Sequence, residues 1–162
     1  MNWGSIVRGL IGFVILVVLH YTLRPLLGWR APIDFMLIAV LLLSIRVRPG
    51  AAAIIGFVVG LIADSLTPDS LGAGAIAMTA VAYTASWLKA VFFADNLALN
   101  AFFFFVGKWM FDILYFVGEQ QLGGAQLVQQ VFLWSPLSAA ATAVAGVLLI
   151  VMMRPLLEPS TA

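Results

Sequence analysis

The sequence predicts an all-α integral membrane protein of six transmembrane helices, and three observations carry that prediction. First, 64% of the 162 residues are hydrophobic and only 9% are charged, whereas a soluble domain has about 25% charged residues and at most about 50% apolar ones. Second, the mean hydropathy is +1.11. Third, the apolar residues fall into runs of near-spanning length, broken by charges or by Pro and Gly. A net charge of +1 from scattered basic residues gives no footprint for nucleic acid. With no Cys and a single His, neither thiolate chemistry nor a His-rich metal site is available.

A bilayer core of ~30 Å needs ~20 apolar residues in helix. The runs give one membrane domain over residues 1–162, with spans at about 5–23, 31–45, 50–66, 72–93, 96–118 and 136–153. Arg8 before the apolar stretch 9–19 has the look of a signal peptide, but no small-x-small cleavage site follows, so a retained first span is expected. The second run is short. It crosses with tilt, local thinning or snorkelling of Arg46, or else it is re-entrant. The third carries Ala52, Gly56 and Gly60 at intervals of four, leading to Asp64. Such a small-residue stripe permits close helix crossing, inside the bundle or against a partner. The fourth, "GAGAIAMTAVAYTASW", is small-residued nearly all round and suits a central helix. The fifth holds Lys108, Trp109 and Asp112. The sixth is expected to start with Ser135 as cap and Pro136 in the first turn, and it presents Ala139, Thr142, Ala143 and Gly146 as a close-packing face. Between the last two runs, "EQQLGGAQLVQQVFLW" is either a short amphipathic surface helix or an irregular loop.

With both termini in the cytoplasm, the inner ends carry Arg8, Arg46, Arg48, Lys89 and Arg154, against Arg24 and Arg30 outside. Five against two follows the positive-inside rule. Trp3 and Trp87 then fall at the inner boundary, and Trp29 and Trp134 at the outer one. Asp34, Asp64 and Asp112 all belong to the outer half. A charge at a helix centre costs ~2.5–3.5 kcal/mol, and the four phenylalanines 102–105 recover only ~1–2 kcal/mol in total, so the fifth span should need protein neighbours. Lys108 and Asp112 stand four apart and can pair. Asp64 ends its helix, where the macrodipole disfavours a carboxylate, so it needs a partner. Two are available, Lys108 and the free amides of the turn that Thr67 and Pro68 begin, and Asp64 is expected to close that turn and also to meet the fifth helix. No nucleophile, second base or metal-ligand set accompanies these groups, so a structural polar clamp without catalysis is expected.

The order of these features resembles the MreD family of bacterial rod shape-determining proteins. The likeness rests on the Pro32-x-Asp34 start of "APIDFMLIAVLLL", the basic turn "RVRPG", the stretch "GFVVGLIADSLTPDSLG" from Gly56 through Gly60 and Asp64 to Gly72, and the fifth-helix acid Asp112. Ala31 stands before Pro32 where the family often has Arg. The resemblance implies a multi-pass protein of the bacterial cytoplasmic (inner) membrane. It implies a non-enzymatic, cofactor-free scaffold of the elongation machinery that binds MreC, works beside MreB, RodA and a class B penicillin-binding protein, and supports peptidoglycan synthesis and rod shape. Pro32, Asp34, Gly56, Gly60, Asp64, Gly72, Lys108 and Asp112 are the residues on which structure or partner contact should depend. The implied fold is similar to the six-helix substrate-binding subunits of energy-coupling factor transporters. That supplies an alternative function, a small-molecule-binding uptake subunit with a polar outer cavity. A proton- or lipid-handling carrier titrating Asp64 or Asp112 would be a third.

Overall fold

The computed structural model describes residues 33–65, 72–89, 96–119 and 124–157, together with Val14, Ile15, Val18 and Thr22, with backbone alone beyond Met152. Most of the first expected span, Pro32 and the turn with Thr67, Pro68 and Asp69 lie outside the described residues. The described chain is helical, without a strand. Its elements are α1 (Phe35–Ser44), α2 (Pro49–Ser65), α3 (Ala73–Trp87), α4 (Leu97–Glu119), α5 (Gly124–Gln129), a π-helical turn (Gln130–Trp134) and α6 (Ser135–Leu157).

The shortest of the long apolar runs lies at the centre. In α1, Phe35, Met36, Leu37, Ile38, Ala39, Val40 and Leu41 are all buried, so the helix is covered on every side, as a helix without a polar face requires. Its ten residues rise only about 15 Å, half a bilayer core. The centrality expected of the Ala/Gly/Thr-rich helix is thus shared: α3 buries Gly74, Ala75, Ala77, Met78, Val81, Ala82, Ala85 and Ser86 but exposes Ile76, Tyr83 and Trp87. Leu97–Glu119 and Gly124–Met152 are the two described helical stretches long and apolar enough to cross a membrane.

The close approaches fix the directions. Gly56 lies against Met78 and Ala82, and Gly60 against Gly74 and Ala75, so α2 and α3 form an antiparallel pair. Gly118 near the end of α4 meets Ala73 at the start of α3, and Gly146 of α6 receives the ring of Phe104. Ser86 Oγ donates to the Val47 carbonyl at 2.8 Å, tying the turn after α1 to the end of α3. Accordingly α1, α3 and α6 run one way, and α2 and α4 the other.

The start of the last helix departs from expectation. Helical backbone already runs from Gly124 through the π turn into α6, rather than beginning at Pro136. The connection is therefore helical but not a separate surface element, with Val131 buried and Val128 and Phe132 exposed. Proline explains the π turn. The Ser135 amide reaches back five residues to the Gln130 carbonyl. Val131 O thereby loses its α-helical donor, and its π-helical donor would be Pro136, which has no N–H. Trp109 Nε1 donates to that carbonyl at 3.1 Å. The tryptophan that stands deep in the fifth apolar run thus satisfies a backbone group that the proline orphans.

The α2–α3 contact gives a direct test. A Cβ on Gly60 would stand 2.5 Å from the Ala75 Cα, whereas one on Gly50 meets nothing within 4 Å. Gly60→Ala should therefore destabilise the bundle by about 1–3 kcal/mol, and Gly50→Ala should be neutral or stabilising by up to ~1 kcal/mol. Denaturation in mixed micelles, followed by circular dichroism, distinguishes the two.

Candidate functional site

Two polar constellations occupy the same half of the bundle. In the first, Lys108 lies midway along α4 and is only 5% exposed. Its ammonium makes an ion pair with Asp112 Oδ1 at 2.5 Å, one turn along the same helix, and another with Asp34 Oδ2 at 3.4 Å. The ammonium also lies 5.0 Å from the centre of the Phe111 ring, a cation–π contact that desolvation strengthens. Asp34 has a second task. Its other carboxylate oxygen accepts from the Leu37 amide at 3.0 Å, which caps the start of α1. Its own amide donates to Thr142 Oγ1 of α6 at 3.2 Å. Buried Ser135, at the start of α6, stands beside Asp112 without completing a well-formed hydrogen bond. Through these contacts three helices distant in sequence share one polar knot: the N-terminus of α1, the middle of α4 and the N-terminal turns of α6.

The second constellation is built around Asp64, 2% exposed and next to last in α2. One of its oxygens, Oδ2, accepts from the amide of Gly72 at 2.9 Å and from that of Ala75 at 3.0 Å. Gly72 is the N-cap residue of α3 and has no side chain to cap with. Asp64 supplies the missing acceptor from the preceding helix. The electrostatics improve as well: a carboxylate unfavourable at the C-terminus of α2 sits on the positive N-terminus of α3. Glycine is needed here twice. Gly72 has φ +99°, in the left-handed region, and a Cβ on Gly74 would fall on the Asp64 carboxylate.

Of the residues singled out in the sequence, the structure brings Asp34, Lys108 and Asp112 into one cluster, and Gly56, Gly60, Asp64 and Gly72 into the α2–α3 seam. Asp64 accepts from the amides of Gly72 and Ala75 at the start of α3, partners the sequence reading does not name, while the turn at Thr67 and Pro68 lies outside the described residues and Lys108 pairs with Asp34 and Asp112. Pro32 is outside the described residues. Sequence reading does not mark the pairing of Asp34 with Lys108, 74 residues apart, nor the place of Ser135, expected only as a cap, beside Asp112, nor Gly74. The available signal was the cap position of Asp34 beside an unbalanced ammonium. Chemically, Asp34, Asp64 and Asp112 are each engaged by an ammonium or by amides, and among the described residues no group of three or more His, Cys, Asp or Glu is placed to hold a metal.

The profile of the family described as rod shape-determining protein MreD matches residues 4–158. The chain belongs to the MreD family. Membership brings a role in rod shape determination, in a membrane-associated family that is not known for enzymes. No curated protein and no solved structure matches the chain. In this MreD-family member, the stretch from Gly56 to Gly72 is the seam just described, its small residues and its acid joined in one helix–helix contact.

Removing the Asp64 acceptor tests that seam. Asp64→Ala should destabilise the protein by about 1–3 kcal/mol by leaving a buried amide, that of Ala75, and a part-buried one, that of Gly72, without their acceptor. Asp64→Asn, which keeps a carbonyl acceptor, should lose less. Equal losses in micelle denaturation would contradict the capping role.

Proposed function

We propose that this protein is a non-enzymatic, six-span scaffold of the bacterial cytoplasmic membrane that docks an MreC-type protein. In this reading it works beside MreB, RodA and a class B penicillin-binding protein to support peptidoglycan synthesis during elongation. Family membership supports the setting. The observation that carries the mechanistic part is the internal neutralisation of the polar groups: Asp34, Lys108 and Asp112 engage one another, and Asp64 engages backbone amides. A carrier or an enzyme uses such groups on a substrate, whereas here they are used on neighbouring helices. The outward faces are left apolar, as Ile54, Phe57, Val58, Leu61 and Ile62 of α2 and Val144, Leu148 and Val151 of α6 show. These surfaces can meet lipid or the single membrane helix of a partner.

The uptake-subunit alternative needs convergent polar groups around an outer cavity. The apolar cavity at Leu41, Val81, Phe103 and Gly107 lies toward the other end of the bundle; what favours the scaffold is that Asp34, Lys108, Asp112 and Asp64 engage one another or backbone amides. Affinity purification of the tagged chain from its own membranes in mild detergent separates the two. Under the scaffold reading an MreC-type protein is retained, and Asp64→Ala reduces its recovery several-fold. A bound vitamin-like solute, with no such protein retained, would overturn the reading.

A further inference from the structure

The cavity just mentioned is a groove of about 140 Å³ between α3 and α4. Val81, Thr84, Ala85 and Leu88 form one wall, Phe102, Val106 and Met110 another, and Leu41 and Gly107 the floor. Gly107 lets Leu41 close the floor against α4: a Cβ there would stand 2.9 Å from the Leu41 side chain. Apolar cavities of ~150 Å³ stay dry and accept hydrocarbon the size of benzene, so a stretch of acyl chain fits this one.

The groove leads to a basic rim. Leu88, part of its wall, precedes exposed Lys89, and the neighbouring Trp87 is 67% exposed. The Ser86–Val47 hydrogen bond brings the turn with exposed Arg46 and Arg48 to the same end of the bundle. Among the described residues every carboxylate belongs to the other half: Asp34 caps the far end of α1, Asp64 and Glu119 end α2 and α4, and Asp112 lies beyond the midpoint of α4. Three exposed cations and an exposed tryptophan thus stand at the end of the bundle to which the Leu88 side of the groove belongs.

We propose that this groove and rim form a binding site for an anionic phospholipid of the cytoplasmic leaflet. One acyl chain lies between α3 and α4, and the phosphate-bearing headgroup meets Arg46, Arg48 and Lys89. The charge of the rim selects this occupant over a zwitterionic lipid, because basic residues near the surface favour anionic lipid. The site rests on the cytoplasmic placement of this end and on no assumption about MreC.

The test uses the full chain, delipidated in mild detergent and titrated with phosphatidylglycerol or phosphatidylcholine while native mass spectrometry counts bound lipids. One phosphatidylglycerol should bind at least ten-fold more tightly than phosphatidylcholine. Arg46→Gln/Arg48→Gln/Lys89→Gln should abolish that preference, and Arg46→Lys/Arg48→Lys should keep it. Val106→Trp, which fills the groove, should weaken both lipids by ten-fold or more. Equal binding of the two lipids by the unaltered protein, or an undiminished preference in the triple Gln variant, would overturn the proposal. A photo-crosslinker at Phe102 in native membranes should label lipid. Labelling of a protein helix instead would assign the groove to a partner and overturn it too.

Discussion

The Lys108 ammonium, held between the carboxylates of Asp34 and Asp112, is the constraint on which the rest of this bundle depends. A lysine near the middle of a 23-residue apolar helix is costly unless its charge is met, and meeting it from one turn away on the same helix leaves α4 self-contained but loosely placed. Asp34 adds the missing connection. Because that residue also caps α1 and binds Thr142 through its amide, one cation fixes how three helices are arranged. The central helix needs such fixing. Its surface is apolar all round, and apolar contact alone gives little directional preference inside a bilayer.

The α2–α3 seam solves a second problem by a different route. Small residues bring the two backbones together, and Asp64 closes the seam by satisfying amides at the beginning of α3 that Gly72 leaves open. The two devices stand in the same half of the bundle, while exposed cations mark the opposite end. The outcome is a body with an ordered interior, apolar flanks and a charged rim.

Much of this was legible in the sequence wherever the relevant spacing is local. Ala52, Gly56, Gly60 and Asp64 recur every four residues, so their shared helix face could be read directly; that the face meets α3 rather than a partner could not. Lys108 and Asp112 pair across one turn, whereas Asp34 comes from another helix and carries no periodic signature linking it to them. That Asp64 needs a partner followed from its place at a helix end, but its acceptance from the amides of Gly72 and Ala75, at the start of the next helix, was not legible. The last helix was misread for an instructive reason. Proline usually opens a helix, but here the backbone shifts register ahead of Pro136, and the vacated Val131 carbonyl is taken by Trp109. That accommodation requires a donor from α4, which no local pattern reveals.

The most direct test of the central constraint is the stability of Lys108→Met compared with that of Lys108→Met/Asp34→Asn/Asp112→Asn, measured by reversible unfolding in mixed micelles. Removing the ammonium alone leaves the buried Asp112 and the part-buried Asp34 without their cation and should cost about 3–5 kcal/mol. Neutralising all three groups should recover most of that loss. A single substitution costing less than about 1 kcal/mol, or a triple variant less stable than the single one, would contradict the account.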